Sequence, residues 1–259
     1  MLRLGFVGTG ALTEAVVQGL RNDGENYEIS LSPRSEKRSR ALAEAYGNVV
    51  REESNDAVVE KSDVVFLGVL PHQLSVLSDL PFRGDQIVVS FLAGTALAII
   101  RDVIKPATRI IRVIPLPSIR YRSGPILMTP ADPVGRDLFA KLGELVVLED
   151  EKDLSSIAIA SGLMSSHFEL QNTIIQWLET RKVSSSQASL YIRSFFDGLG
   201  TTGLATERRG EALLPREYET PGGLNEAGRA HLRASGWFEH LTRGLDVIES
   251  HSLSLVKRG

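Results

Sequence analysis

The stretch Leu4-Gly5-Phe6-Val7-Gly8-Thr9-Gly10-Ala11-Leu12-Thr13 decides the fold of this chain. Leu4 to Val7 is a short apolar run of strand type, while Leu12, Ala15, Val16, Gly19 and Leu20 recur at helical spacing. Two glycines separate strand from helix. The first permits a tight turn, the second lets a pyrophosphate approach the backbone, and the helix N-terminus offers free N–H groups with a partial positive charge. Gly8, Thr9, Gly10, Ala11 and Leu12 are therefore expected to cradle the phosphates of a dinucleotide. The third position of this fingerprint, usually Gly or Ala, is Thr13, with Ala15 as a small residue nearby. A purely structural glycine turn is the competing reading. The strand–turn–helix context favours the dinucleotide.

Outward from this turn, strand-like and helix-like runs alternate. Residues 28–31 read as a second strand and 35–46 as a helix. Residues 63–69, 86–90 and 110–114 are nearly all apolar, as strands covered on both faces must be. Residues 124–128 and 145–148 are candidate edge strands. The alternation implies βαβ units and a mostly parallel sheet. The charged run Glu149-Asp150-Glu151-Lys152-Asp153 reads as a solvated connection or helix start, and beyond it the β-rich runs stop. Residues 153–181, 184–205 and 224–250 read as helical, with Gly-Leu-Gly-Thr-Thr-Gly at 198–203 expected to break the second. The expected boundary divides residues 1–150, an α/β dinucleotide-binding domain, from 151–259, a helical domain.

Composition removes several classes. The 259 residues are 42% hydrophobic and 24% charged, ordinary for a folded domain pair. A net charge of −3 disfavours nucleic acid as the main partner. The absence of cysteine excludes disulfides, thiolate nucleophiles and Cys-ligated metal. No apolar run approaches the ~18 residues of a membrane span, and no secretory leader pattern is visible. A cytoplasmic location is the expectation. His231, His240 and His251 have no partner at metal spacing, so no metal site is expected.

The end of the second strand speaks to the cofactor. An NAD site usually has Asp or Glu there to bind the ribose 2′-hydroxyl. Here the chain reads Leu31-Ser32-Pro33-Arg34-Ser35. Ser32, Arg34 and Ser35 suit a 2′-phosphate, so NADP (as NADPH) is favoured over NAD. The same residues also fit a solvated loop with Ser35 as helix N-cap.

Four stretches, in order, resemble the pyrroline-5-carboxylate reductase family across the whole chain. They are Gly5-Phe6-Val7-Gly8-Thr9-Gly10, Ser90-Phe91-Leu92-Ala93-Gly94, Arg112-Val113-Ile114-Pro115-Leu116-Pro117 and Thr220-Pro221-Gly222-Gly223-Leu224-Asn225. The resemblance implies an N-terminal Rossmann-type dinucleotide-binding domain followed by an all-helical dimerisation domain, and hence a homodimer. It implies reduction of a cyclic imino acid, pyrroline-5-carboxylate to proline, by hydride transfer. It implies cofactor contacts from Leu70, Pro71, His72, Ala93, Gly94 and Pro115. The last turn, with Thr220, Gly222, Gly223, Leu224 and Asn225, would take the substrate carboxylate. A Pro-Gly-Gly turn before a helix offers N–H groups suited to that task, and equally fits an ordinary turn between helices.

The chain departs from the family pattern at Leu116, Leu70-Pro71-His72, Leu224-Asn225 and Ala160-Ser161-Gly162-Leu163-Met164-Ser165. Asn225 and Ser161 are candidate substrate contacts by position in the resemblance. His167 is a candidate proton donor or an interface histidine. Arg112, Arg120 and Arg122 form a basic group that would attract an anion or stay solvated. Two alternatives stay open. A β-hydroxyacid-type dehydrogenase would need a lysine where Phe168 precedes Asn172 by four residues. A non-catalytic NADP-binding protein would bind cofactor without turnover.

Overall fold

The computed structural model describes residues 2–22, 24, 27–92 and 94–256. The chain divides into two compact units, residues 1–158 with 252–259, and residues 159–251.

The first unit begins β1 (Arg3–Val7), α1 (Ala11–Arg21), β2 (Glu28–Leu31), α2 (Glu36–Ala45), β3 (Val49–Arg51), α3 (Asn55–Lys61) and β4 (Val64–Leu67). It continues β5 (Ile87–Ser90), α4 (Leu97–Val103), β6 (Arg109–Pro115), β7 (Pro125–Thr129), α5 (Pro133–Phe139), β8 (Glu144–Val147) and α6 (Glu151–Ala160). The strands form one sheet in the order β3-β2-β1-β4-β5-β6-β7-β8. All neighbours are parallel except β6 and β7. The order reverses at β1, as in doubly wound dinucleotide-binding folds. The Rossmann-type expectation is thus met, with β3 as a short strand that the sequence reading passed over.

Burial explains the order. Every residue of β4 and β5 is buried, so these apolar runs sit at the centre with helices on both faces. On one face Phe6 and Phe66 stack at 4.3 Å, with Phe139 edge-on to Phe66 at 6.3 Å. Val16, Leu20, Leu31 and Leu42 complete that layer. On the other face Val7, Leu67 and Val88 pack with Val58, Leu77 and Ile100.

The second unit holds α7 (Met164–Glu179), α8 (Ser185–Arg208), α9 (Leu224–Ala234) and most of α10 (Trp237–Val256). α7 and α8 pack across a short loop around Ile175, Ala188 and Ile192. Three sequence expectations are corrected here. The glycine-rich run at 198–203 does not break α8. Hydroxyls within the helix bond along it, Thr202 to Gly198 O at 2.8 Å and Thr206 to Thr202 O at 3.0 Å, so each glycine weakens the helix without ending it. The run 224–250 is two helices, parted at Gly236, whose φ of +72° suits a helix C-terminus. The run 153–181 starts at Glu151 and is interrupted by a 3₁₀ turn, Ser161–Leu163. No helix among the described residues is long and apolar enough to cross a membrane.

One buried cap gives the first unit a pH dependence. Asp132 precedes α5, accepts from the N–H groups of Val134 (2.9 Å) and Gly135 (3.1 Å), and takes both arms of Arg109 at 2.7 and 3.0 Å. Burial pushes this carboxyl up, but the Arg109 guanidinium and the two N–H groups outweigh it and hold it below its ordinary value. The charged form is favoured by folding, so its stabilisation is complete above the ordinary carboxylate pKa and fades as pH falls through the lowered one. Asp132→Ala should cost about 1–2 kcal/mol at neutral pH. In urea denaturation at a series of pH values, the gap to wild type should close below about pH 4.

Candidate functional site

The crevice lies at the C-terminal ends of β1 and β4, where strand order reverses and open parallel sheets bind ligands. Its walls are set by backbone contact. Gly8 has φ +97°, and a Cβ there would lie 2.7 Å from the Gly68 carbonyl carbon. A Cβ on Gly68 would lie 2.4 Å from Thr13 Oγ1. Thr13 is buried and its hydroxyl donates to Gly8 O at 2.8 Å. The unusual third residue of the fingerprint therefore closes the turn with a hydrogen bond.

Gly10 is the N-cap of α1, and a Cβ on it would meet nothing within 4 Å. The N–H groups of Ala11, Leu12 and Thr13, in the first helical turn, have no intrahelical acceptor. An open glycine beside free N–H groups at a helix N-terminus fits a pyrophosphate. Thr9 and Ser32 have a different role from the one expected. Both are buried. Ser32 Oγ accepts from Gly8 N at 3.1 Å and Thr9 Oγ1 donates to Ser32 O at 3.2 Å. They pin the end of β2 to the glycine turn, and the Ser32 hydroxyl is not presented to a ligand. Arg34 and Ser35 are exposed, with Ser35 at φ 57° just before α2.

Leu70, Pro71 and His72 are exposed at the head of a 3₁₀ turn (Pro71–Leu77) that follows β4. Gly94 is exposed at φ +74°, and Ala93 lies outside the described residues. Pro115 is buried at the end of β6 opposite Ile126, a packing position. The three arginines read as one basic group do separate jobs. Arg112 is 4% exposed and donates to Glu151 Oε1 at 2.7 Å, the same oxygen that accepts Leu97 N at 3.0 Å. Arg122 donates to Lys141 O at 2.8 Å. Arg120 lies in the 3₁₀ turn Pro117–Tyr121, and its carbonyl accepts from Asn22.

Two residues escaped the sequence reading. Glu151, inside the charged run read as a solvated connection or helix start, opens α6 and ties β6 to the start of α4. Asn55 opens α3 just beyond β3, with a buried Oδ1 that has no hydrogen-bond partner. An unsatisfied buried acceptor at a crevice edge is a signal that only coordinates carry.

In the second unit, Ser161 heads the 3₁₀ turn before α7. A Cβ on Gly162 would lie 2.8 Å from Ile248 Cγ2, so this glycine lets α10 pack close. His167 is exposed on α7, with its ring edge-on to Phe196 at 5.3 Å. Arg193 donates to Gln171 Oε1, which turns the Gln171 amide N–H toward His167 Nε2 at 2.5 Å. That nitrogen must then accept, so the imidazole carries its proton on Nδ1.

The turn before α9 is partly self-satisfied. Gly222 N donates to Glu226 Oε2 at 2.6 Å, and Gly223 N to Thr220 O at 2.7 Å. Asn225 Nδ2 donates to Tyr218 O at 2.8 Å. Arg229 bonds Glu219 at 2.8 Å and braces the segment. The free groups are the N–H donors of the first helical turn, at Leu224, Asn225 and Glu226. Leu224 is 93% exposed. Gly222 and Gly223 thus shape this turn, and their own N–H groups are already used. Among the described residues no group of His, Asp and Glu is arranged to hold a metal ion.

A family profile described as "NADP oxidoreductase coenzyme F420-dependent" matches residues 3–94, the segment that contains this crevice. Pyrroline-5-carboxylate reductase 3 of Xenopus laevis is 27% identical, over 99% of this chain and 97% of its own length. Pyrroline-5-carboxylate reductase 2 of Bacillus subtilis is 24% identical, over 100% and 96%. The crystal structure of Plasmodium falciparum pyrroline carboxylate reductase with NADP bound shares the fold at a TM-score of 0.78, with 17% identity over 98% of each chain.

The two glycines of the turn should respond differently to a methyl group. Gly8→Ala adds strain at positive φ and a backbone clash, so thermal unfolding should show a loss of roughly 2–3 kcal/mol. Gly10→Ala should unfold within about 0.5 kcal/mol of wild type, near the surface range. Its methyl should still weaken dinucleotide binding about tenfold or more by displacing the phosphates, as read by fluorescence titration.

Proposed function

We propose that this chain, which is similar along its length to pyrroline-5-carboxylate reductases, reduces a cyclic imino acid, with pyrroline-5-carboxylate as the first candidate, using NADPH. The observation that carries this reading is the open glycine turn at the head of α1, in a chain whose full length aligns with such reductases. The crevice fits a dinucleotide in the groups it offers. Gly10 leaves room, the first turn of α1 supplies donors, and no carboxylate stands at the end of β2 to repel a 2′-phosphate.

The nicotinamide ring, when bound, supplies the hydride. The protein supplies position and charge. A cyclic imine that is protonated at working pH needs no strong general acid. That agrees with His167, whose Nε2 already accepts from Gln171. The N–H groups of Leu224, Asn225 and Glu226 would hold the substrate carboxylate at the positive end of α9. Asn225 fixes the entry to that helix through Tyr218 O. Glu151 and Arg112 would hold the start of α4 against the end of β6 at the rim of the crevice.

A homodimer through the helical unit is part of the proposal. Phe168, Trp177, Leu190, Tyr191, Phe195 and Val247 are all exposed there. The buried cluster of the same unit is small, centred on Ile175, Ala188 and Ile192. Large apolar side chains left in water over a small core mark an association surface.

The direct test is NADPH oxidation, with NADH in parallel, over five- and six-membered cyclic imino acids. Turnover is expected with NADPH preferred and pyrroline-5-carboxylate the best substrate. Tight NADPH binding without turnover of any imine would overturn the reading. Asn225→Ala should raise the imine KM about tenfold and leave the NADPH Kd unchanged, consistent with one lost hydrogen bond that orients the turn.

A further inference from the structure

We infer that Arg51 is a second determinant of the preference for a phosphorylated ribose, acting beside Arg34 on the cofactor's 2′-phosphate. This rests on the NADPH reading above and assigns it a residue outside the β2–α2 loop.

Arg51 ends β3 and sits opposite Leu31, the last residue of β2. Strand alternation puts its side chain on the face that carries Leu31 and Val49, whose core includes α1 and the Leu42 of α2. Its guanidinium reaches under the loop and donates to Pro33 O at 3.3 Å. The loop above, Ser32 to Ser35, is the one that in this fold class faces the adenosine ribose.

The charge on Arg51 is not neutralised. Several arginines of this unit have carboxylates: Arg3 with Asp63, Arg38 with Glu14, Arg109 with Asp132 and Arg112 with Glu151. Arg21 and Arg120, like Arg51, have a buried Nε without an acceptor, and what sets Arg51 apart is its place under the β2–α2 loop. Among the described residues no carboxylate pairs with Arg51, and its Nε is buried without an acceptor. The adjacent acid is committed elsewhere. Glu52 accepts from Ser30 at 2.9 Å and from Lys61 at 2.6 Å. A partly buried guanidinium with an idle donor and no counter-ion is costly unless an anion arrives.

The chemistry of the corner selects the anion. Arg34 and the Ser35 hydroxyl are exposed on the loop, and Ser32 is withdrawn into the glycine turn. Two guanidiniums and one hydroxyl, with no acceptor at the end of β2, match a phosphate monoester rather than a sugar diol. With Ser32 withdrawn, a loop-only site would offer one cation and one hydroxyl. Arg51 brings in the second cation from the neighbouring strand.

The test measures binding to the intact chain by calorimetry, with adenosine 2′,5′-bisphosphate, 5′-AMP and inorganic phosphate as probes, so it does not depend on turnover. Wild type should bind the bisphosphate at least tenfold tighter than 5′-AMP. Arg51→Gln, which retains an N–H donor for Pro33 O, should erase most of that preference while leaving the 5′-AMP affinity within twofold. Arg51→Lys should retain an intermediate preference. Circular dichroism of each variant establishes that it is folded. Equal weakening of both nucleotides in Arg51→Gln, or no change in either, would make Arg51 a structural prop and overturn the inference. So would a wild type with no preference for the bisphosphate, or one in which inorganic phosphate binds as tightly as the bisphosphate. A chain that passes this test and turns over no imine would lose the reductase reading alone.

Discussion

The ends of β1 and β4 come so close that neither Gly8 nor Gly68 has room for a side chain, and much of the dinucleotide unit is organised around that contact. With β1 and β4 paired through Phe6 and Phe66, the chain leaving β1 must turn at once. Gly8 makes the turn at positive φ, Thr13 closes it, and Ser32 ties it to the next strand. The outcome is a helix N-terminus aimed across the sheet edge with Gly10 unobstructed. The hydrogen bonds of Thr13, Ser32 and Thr9 at this turn spend little of the unit's stability on a ligand, since each also satisfies a group that would otherwise be buried unpaired.

Charge in this unit is handled in the same way. Arg3, Arg109 and Arg112 meet carboxylates that lie far away in sequence, so the pairs fasten strands and helix starts together. Their value is geometric. For Asp132 and Arg112, which are buried, removing the partner leaves the charge in a low-dielectric place, which costs more than the pair itself contributes. Arg51 and Asn55, like Arg21, Arg112 and Arg120, retain a buried polar atom without a hydrogen-bond partner, and Arg51 differs from the other arginines in lying under the β2–α2 loop. Idle polar atoms at the mouth of a crevice are where a bound partner completes the hydrogen bonding.

Much of this was legible in the sequence, and the remainder has identifiable causes. The strands at 63–69, 86–90 and 110–114 were visible because buried parallel strands are near-continuous apolar runs, and 28–31 showed as a short alternation of polar and apolar residues. Residues 49–51 were missed because a three-residue strand has too little pattern to show. The glycines at 198–203 misled because propensity yields to the helix context on either side of them. Among site residues, Gly8 and Gly10 could be read from type and spacing. Ser32 could not, because its hydroxyl serves the turn, a fact set by two strands meeting. Glu151 was hidden for the reason that a charged run gives no sign of which member points inward. His167 was visible as a histidine, but its tautomer depends on Gln171 and Arg193, and the arginine lies a helix away.

The central claim is that this chain delivers hydride from a reduced nicotinamide to an imine carbon. The most direct measurement is isotopic. The protein is incubated with pyrroline-5-carboxylate and NADPH deuterated at the transferable C4 position, and the product is read by mass spectrometry and NMR. The account requires one deuterium at the former imine carbon, with none elsewhere. Product without deuterium, or no product while the deuterated cofactor stays bound and intact, would contradict it.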